Sequence, residues 1–268
     1  MKTFVKFTIF TLLSVFLIGV FQACRDKDGS INIFTIQDDL DLGLQVAREL
    51  ENDPNVQVLD SAAYPAAYKY VYNLRDSILV HNELNYENEF TWRIRIIKDD
   101  TTLNAFCAPG GYIYFYTALI KYLESEDQLA GVMGHEMAHA DLRHSTDALT
   151  SQYGLSVLFD IVFGKDKGQL LRVAAQIKLL QYSRENESES DMYSVTWLYH
   201  TAYNAKGAAG FFQKLTDQGQ SSGAPQWLST HPNPDNRVMA ITKKWQTLGG
   251  KVGQTFTQRY NTFKASLP

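Results

Sequence analysis

The sequence predicts a mostly helical α+β domain in which a small β-sheet lies beside a helix that carries metal ligands. Three observations lead there. His135-Glu136-Met137-Ala138-His139 sets two imidazoles four residues apart, on one face of a helix. Ahead of it, residues 91–98 and 111–116 are rich in β-formers. Behind it, the acidic run 183–191 leads into a helix with Tyr193, Val195, Trp197 and Leu198 as apolar positions.

From the N-terminus, Lys2 and Lys6 precede an apolar run from Phe7 to Phe21 that ends in Gln22-Ala23-Cys24. This is the form of a signal peptide, with a basic start, a short hydrophobic stretch and a small residue before the cut. The run is shorter than the roughly 20 residues of a membrane span. Cys24 completes a bacterial lipobox, loosened by Phe21 and Gln22, so it is expected to be lipidated and to become the first mature residue. Residues 1–23 are thus read as signal, 24–38 as lipidated cysteine and tether, 39–250 as the folded domain and 251–268 as a tail. No appended repeat domain is expected. Cys107 is the other cysteine, so neither an intramolecular disulfide nor a cysteine-based metal site can be built. The net charge of −4, without a basic run, gives no reason to expect nucleic acid.

Residues 91–98, Thr-Trp-Arg-Ile-Arg-Ile-Ile-Lys, alternate as a half-buried strand. Asp99 to Thr102 form a turn, and a second strand follows the Pro109-Gly110-Gly111 bend. Ser125-Glu126-Asp127-Gln128 reads as a capping box, with Leu129, Val132 and Met133 at helical spacing behind it, which predicts a helix to about His144. Two imidazoles on that helix can bind one Zn²⁺ at about 2.0–2.1 Å. Glu136 then faces the open side of the metal, where it can take a proton from water. His144 is expected to support the site or the structure, not to be a ligand. HExxHxxGxxH would require Gly and His where Leu142 and Ser145 stand, and His144 lies about 900° around the helix from His135, on the opposite side.

Residues 148–163 are apolar but interrupted, and are read as a core helix plus a lid that ends at the flexible stretch 164–168. Within the acidic run, Glu185 and Glu189 suit a solvated face. Glu187 and Asp191 are four apart and share another face. Glu187 can complete a His₂Glu site, and Asp191 can accept the other N–H of a ligating His. His231 precedes Pro232, which holds an extended loop, and Asn233-Pro234 then starts a helix with Pro at its first position. That helix stops at Gly249-Gly250. His81 and His200 are read as ordinary surface or packing residues.

Several motifs fall in a set order: Asn104-Ala105-Phe106, Pro109-Gly110-Gly111-Tyr112-Ile113-Tyr114, Leu129-Ala130-Gly131 into His-Glu-Met-Ala-His, and Arg143-His144. Ser183-Arg184 with Glu187 and Asp191 comes next, then Thr230-His231-Pro232 with Arg237. In this order the sequence resembles the gluzincin peptidases of the HtpX, BepA and CAAX-prenyl-protease group over roughly residues 40–248, most of all the BepA-like periplasmic branch. The resemblance implies a gluzincin fold, with His135, His139 and Glu187 as ligands of one zinc and Glu136 as general base. It further implies that Asp191 supports a ligand and that His231 lies near the metal, either capping it or donating to the oxyanion. Arg237 would anchor that loop. Ser190, Cys107 and Ala202 depart from the family pattern without removing a chemical group. The thermolysin group also carries a similar N-E-x-x-S-D, but its Glu follows HExxH far more closely than Glu187 does.

The expectation is a zinc endopeptidase at a bacterial membrane surface, facing the periplasm at the outer membrane, that cleaves misfolded or unassembled envelope proteins. Substrate would bind as an extended strand on an edge near Gly110 to Tyr116. The alternatives are a non-catalytic chaperone on the same frame, or a peptidase dedicated to one partner.

Overall fold

Thr35 and Asp38 close a capping box: the Thr35 hydroxyl accepts from the Asp38 amide at 3.1 Å, and the Asp38 carboxylate accepts from the Thr35 amide at 2.7 Å. This opens α1 (Ile36–Asn52), which buries Leu42, Val46 and Leu50 on one face. The computed structural model describes residues 32–80, 84–152, 172–173, 176–217, 226–232 and 236–268. The packed body begins ahead of the expected boundary at residue 39. Asn32 and Phe34 are buried, and Asn32 Nδ2 donates to Thr146 Oγ1 at 2.9 Å. The expected signal peptide and Cys24 lie outside the described residues, as does the part of the expected core helix and lid from residue 153 to 168. Among the described residues no helix is long and apolar enough to cross a membrane.

After α2 (Pro65–Leu79) come β1 (Arg93–Ile97), β2 (Ala105–Ala108) and β3 (Tyr112–Tyr116). The sheet order is β1-β3-β2, with β1 parallel and β2 antiparallel to β3. Gly110 and Gly111 make the bend between β2 and β3 at φ 72° and 81°, a region that costs an L-residue strain. A Cβ on Gly111 would also stand 2.9 Å from the Trp92 amide nitrogen. The order corrects one expectation: Tyr112–Tyr116 is the central strand, paired on both sides, so it cannot serve as an edge. The edge on this side is β2. Tyr116 N donates to Asn104 O at 3.2 Å, which makes 104/116, 106/114 and 108/112 the bonded pairs. Ala105 and Cys107 therefore turn their backbone groups outward.

α3 (Thr117–Tyr122) leads to α4 (Glu126–Asp141), which is buried along nearly its whole length between the sheet and two further helices, α6 (Arg184–Tyr199) and α7 (Gly207–Asp217). Two glycines permit that approach. A Cβ at Gly131 would lie 2.5 Å from Ala208 N, and one at Gly134 would lie 2.8 Å from Ser194 Oγ. Ser194 Oγ uses the space to donate to Gly131 O at 2.8 Å.

The ends of α4 depart from expectation. Ser125 is the N-cap, but its hydroxyl bonds Asp127 Oδ1 at 2.5 Å, and Gln128 reaches the Glu124 amide, so no capping box forms. The first amides donate instead to Thr255 O, at 3.0 Å from Glu126 and 3.4 Å from Asp127. The helix stops at Asp141 rather than near His144. Arg143 takes φ 59°, held by Asp39 through Nε at 2.5 Å and by Phe34 O at 2.5 Å. α5 (His144–Gln152) then starts in a new direction.

After the short α8 (Gln226–Thr230), α9 (Arg237–Thr247) begins behind Asn236, later than expected; Pro234 lies outside the described residues. Residues 257–265, expected as tail, form α10 (Thr257–Ala265). It buries Tyr260 and Phe263; the Phe263 ring stacks on Tyr70 at 4.1 Å, Tyr260 OH donates to Ile120 O, and Arg259 pairs with the buried Glu126.

Candidate active site

α4 carries His135, Glu136 and His139, α6 carries Glu187 one turn in, and His231 follows α8 directly. All five are buried. One ligand atom from each of His135, His139, Glu187 and His231 lies within 4.8 Å of the others. His139 Nε2 is 3.0 Å from His135 Nε2 and 3.1 Å from Glu187 Oε1. His231 Nδ1 is 3.0 Å from Glu187 Oε1 and 3.3 Å from His135 Nε2. Donors about 2.05 Å from a shared centre at tetrahedral angles sit about 3.3 Å from one another, so this donor set fits a single zinc-sized ion.

The electrostatics ask for a cation at the same point. Burial opposes ionisation of Glu187, but His231 and His135 outweigh it and hold the carboxyl well below its ordinary range. Burial likewise opposes a proton on His135, yet the Glu187 carboxylate outweighs it and pushes the group up to about 9. His139 is driven the other way, by burial and by the charge on His135. Negative charge on Glu187 is thus favoured by cationic neighbours, the condition a bound metal ion would also meet. Glu136 stands apart. Burial raises its pKa, and neither carboxylate oxygen has a hydrogen-bond partner among the described residues; Oε1 is 3.4 Å from His231 Nε2.

A second ring of contacts orients these groups. Ser183 and Asn186 form a capping box that fixes the start of α6, and with it the face carrying Glu187 and Asp191. Asp191 Oδ1 lies 3.0 Å from His135 Nδ1, and its carboxylate accepts from Arg237 Nε at 2.6 Å and Nη2 at 2.8 Å. Arg237 Nη2 also reaches Glu187 Oε2 at 3.2 Å, and its guanidinium lies over the Phe212 ring at 3.7 Å. Arg237 thus spans two carboxylates.

His144 does not face away. The left-handed Arg143 turns it back, so that its Nδ1 lies 2.9 Å from His139 Nδ1. Its Nε2 is 3.5 Å from Glu189, which is therefore not merely solvated, whereas Glu185 is exposed as expected. Ser190 Oγ is 3.4 Å from His144 Nδ1.

Two aromatic residues escaped the sequence reading. Tyr182 stacks on His139 with ring centroids 3.9 Å apart, and its hydroxyl is 2.9 Å from Ser145 Oγ. Trp227 stacks on His231 at 4.2 Å, and its carbonyl accepts the His231 amide at 2.7 Å. Trp227 and His231 are four apart, a spacing that could have flagged the pair. Of the other histidines, His200 is exposed and His81 lies outside the described residues.

An HExxH helix, crossed by a second helix that offers a carboxylate and flanked by a small mixed sheet, is the frame of a gluzincin-type metallopeptidase. A family model for peptidase family M48 matches residues 72–245. The chain belongs to peptidase family M48. It is 28% identical over 257 residues to the "Beta-barrel assembly-enhancing protease" of Yersinia pestis, covering 86% of this chain and 51% of that protein. It is 27% identical over 164 residues to the "Mitochondrial metalloendopeptidase OMA1" of Arabidopsis thaliana, covering 61% of this chain and 33% of the relative. The bovine "Metalloendopeptidase OMA1, mitochondrial" is 29% identical over 206 residues, covering 71% and 38%. The chain thus spans about half the length, or less, of these curated relatives.

Proposed function

We propose that this chain is a zinc-dependent endopeptidase of the bacterial cell envelope, acting on misfolded or unassembled envelope proteins. The observation that carries the reading is the convergence of four buried ligand atoms beside a buried carboxylate, Glu136, whose oxygens have no hydrogen-bond partner among the described residues. His135, His139 and Glu187 would hold the zinc. Zinc bound there supplies Lewis acidity, which polarises a carbonyl and makes water a better acid.

Glu136 takes a proton from the attacking water and returns it to the departing amine. The upward shift that burial gives its carboxyl suits that exchange, since a general base works best with a pKa near the operating pH. Asp191 accepts from His135 and fixes its tautomer, while His144 does the same for His139. His231, whose Nδ1 lies beside Glu187 and His135, would be a fourth donor to a metal held there, and it would have to move aside for a peptide carbonyl before taking any part in catalysis. The substrate backbone pairs with the outward groups of β2, since Ala105 O lies 3.4 Å from His231 Nε2 and the strand flanks the zinc helix. The signal segment and Cys24 support attachment to a membrane through acyl chains.

Glu136→Gln tests the chemistry. The variant should keep its zinc while casein cleavage falls by about 10²–10⁴-fold. Undiminished cleavage would overturn the assignment of the base, and a zinc-loaded parent that cleaves nothing would favour the chaperone alternative. Intact-mass analysis of membrane-extracted protein tests the anchor. A start at Cys24 with added acyl mass is expected, and a free Cys24 thiol would reject it.

A further inference from the structure

A cavity of about 530 Å³ opens at the head of β2, bounded by the end of β1, Tyr116, Lys178 and Leu179. It falls in the range of about 300–1,000 Å³ usual for ligand sites. Resting on the peptidase reading above, we propose that this cavity is a substrate subsite that selects acidic side chains of the bound peptide.

Position is the first argument. Asn104 lines the cavity, and the next residue's carbonyl, Ala105 O, lies 3.4 Å from His231 Nε2. An extended chain advances about 3.3 Å per residue. A peptide laid on the outer edge of β2 with its scissile bond at the zinc ligands therefore reaches the cavity within a few residues. The second argument is an unmet donor. Asn104 is only 1% exposed; its Oδ1 accepts from Thr230 Oγ1 at 3.2 Å, but its Nδ2 has no partner among the described residues. A buried amide left so is costly, and a peptide carbonyl arriving at this strand end would satisfy it.

Charge sets the preference. Lys98 and Lys178 stand on the walls, and Asp99 is the acidic residue among them. The Asp99 carboxylate is already engaged, accepting from the amides and hydroxyls of both Thr101 and Thr102. Lys178 lies within electrostatic range of Asp53 and Lys98 of Asp100, but neither ammonium group forms an ion-pair contact among the described residues, so both can attract a carboxylate, while the exposed Leu179 offers apolar contact to the methylenes of a Glu. An ordinary solvated pair gives roughly two- to fivefold per lysine, so the two together give roughly tenfold.

The test uses the zinc-loaded full-length protein and quenched fluorogenic peptides on one scaffold. Glu, Gln, Lys or Leu is placed in turn at each of three positions on either side of the scissile bond. One position should favour Glu over Lys by roughly tenfold in kcat/KM, with the ratio shrinking at high salt. Lys98→Glu with Lys178→Glu should invert that ratio, and Lys98→Met with Lys178→Met should abolish it. Lys243→Glu with Lys244→Glu, on the distant α9, should leave it intact. An absent charge preference, or one that survives both lysine pairs, would overturn the subsite while leaving the peptidase reading standing. No cleavage of any peptide by the parent overturns both.

Discussion

Removing Asp191 should have two separable effects. The side chain is 2% exposed and holds both His135 Nδ1 and the guanidinium of Arg237, itself 3% exposed. In Asp191→Ala the guanidinium keeps only the 3.2 Å contact to Glu187 as a carboxylate partner. Stranding one member of a buried pair costs about 3–5 kcal/mol. For a domain of this size that corresponds to roughly 6–20 °C in unfolding temperature. The second effect is on the metal. His135 loses the acceptor that sets its ring, and Arg237 is freed to compete for Glu187, so zinc affinity should fall about 10–100-fold. Urea unfolding of the metal-free protein reads the first effect, and chelator competition reads the second. Asp191→Ala with Arg237→Met should recover most of the stability, because no buried charge is left alone, but not the zinc affinity. Metal-free stability within about 0.5 kcal/mol of the parent in Asp191→Ala, which is the scatter of an indifferent surface change, would refute the argument.

Two other changes probe the frame. Gly131→Ala puts a Cβ 2.5 Å from Ala208 N, backbone that cannot swing aside, and should cost at least about 1–3 kcal/mol by overpacking; an unchanged urea midpoint would show that α7 can shift. Desolvation opposes the charge on Asp99, but hydrogen bonds from Thr101 and Thr102 outweigh it and hold its pKa at about 2. A group with a depressed folded pKa stabilises above its unfolded value, near 3.8, and loses that contribution as pH falls through about 2. The urea midpoints of the parent and Asp99→Asn should therefore differ at pH 7 and converge toward pH 2; a constant gap would contradict the assignment.

What the sequence reveals is local. The i, i+4 spacings of His135/His139 and Glu187/Asp191 follow from helical geometry alone, so the faces they share were readable before any fold. The reversal of His144 was not. It depends on the left-handed Arg143, which is held by Asp39, 104 residues earlier in the chain. The strand order was hidden for a similar reason, since pairing is a long-range choice that alternation does not encode. α10 was missed because it offers only Tyr260 and Phe263 as buried apolar positions, and its chief polar partner, Glu126, stands at the start of the helix that carries His135 and His139.

That last contact has a bearing on biosynthesis. The opening turn of α4 is completed by a carbonyl at Thr255 and its Glu126 by Arg259. A ribosome-bound chain that has not yet released these residues lacks the cap of its own catalytic helix, and domains emerge from the N-terminal side first. The helix that carries His135 and His139 therefore completes its opening turn only after residues 255–259 have emerged, well after its own synthesis.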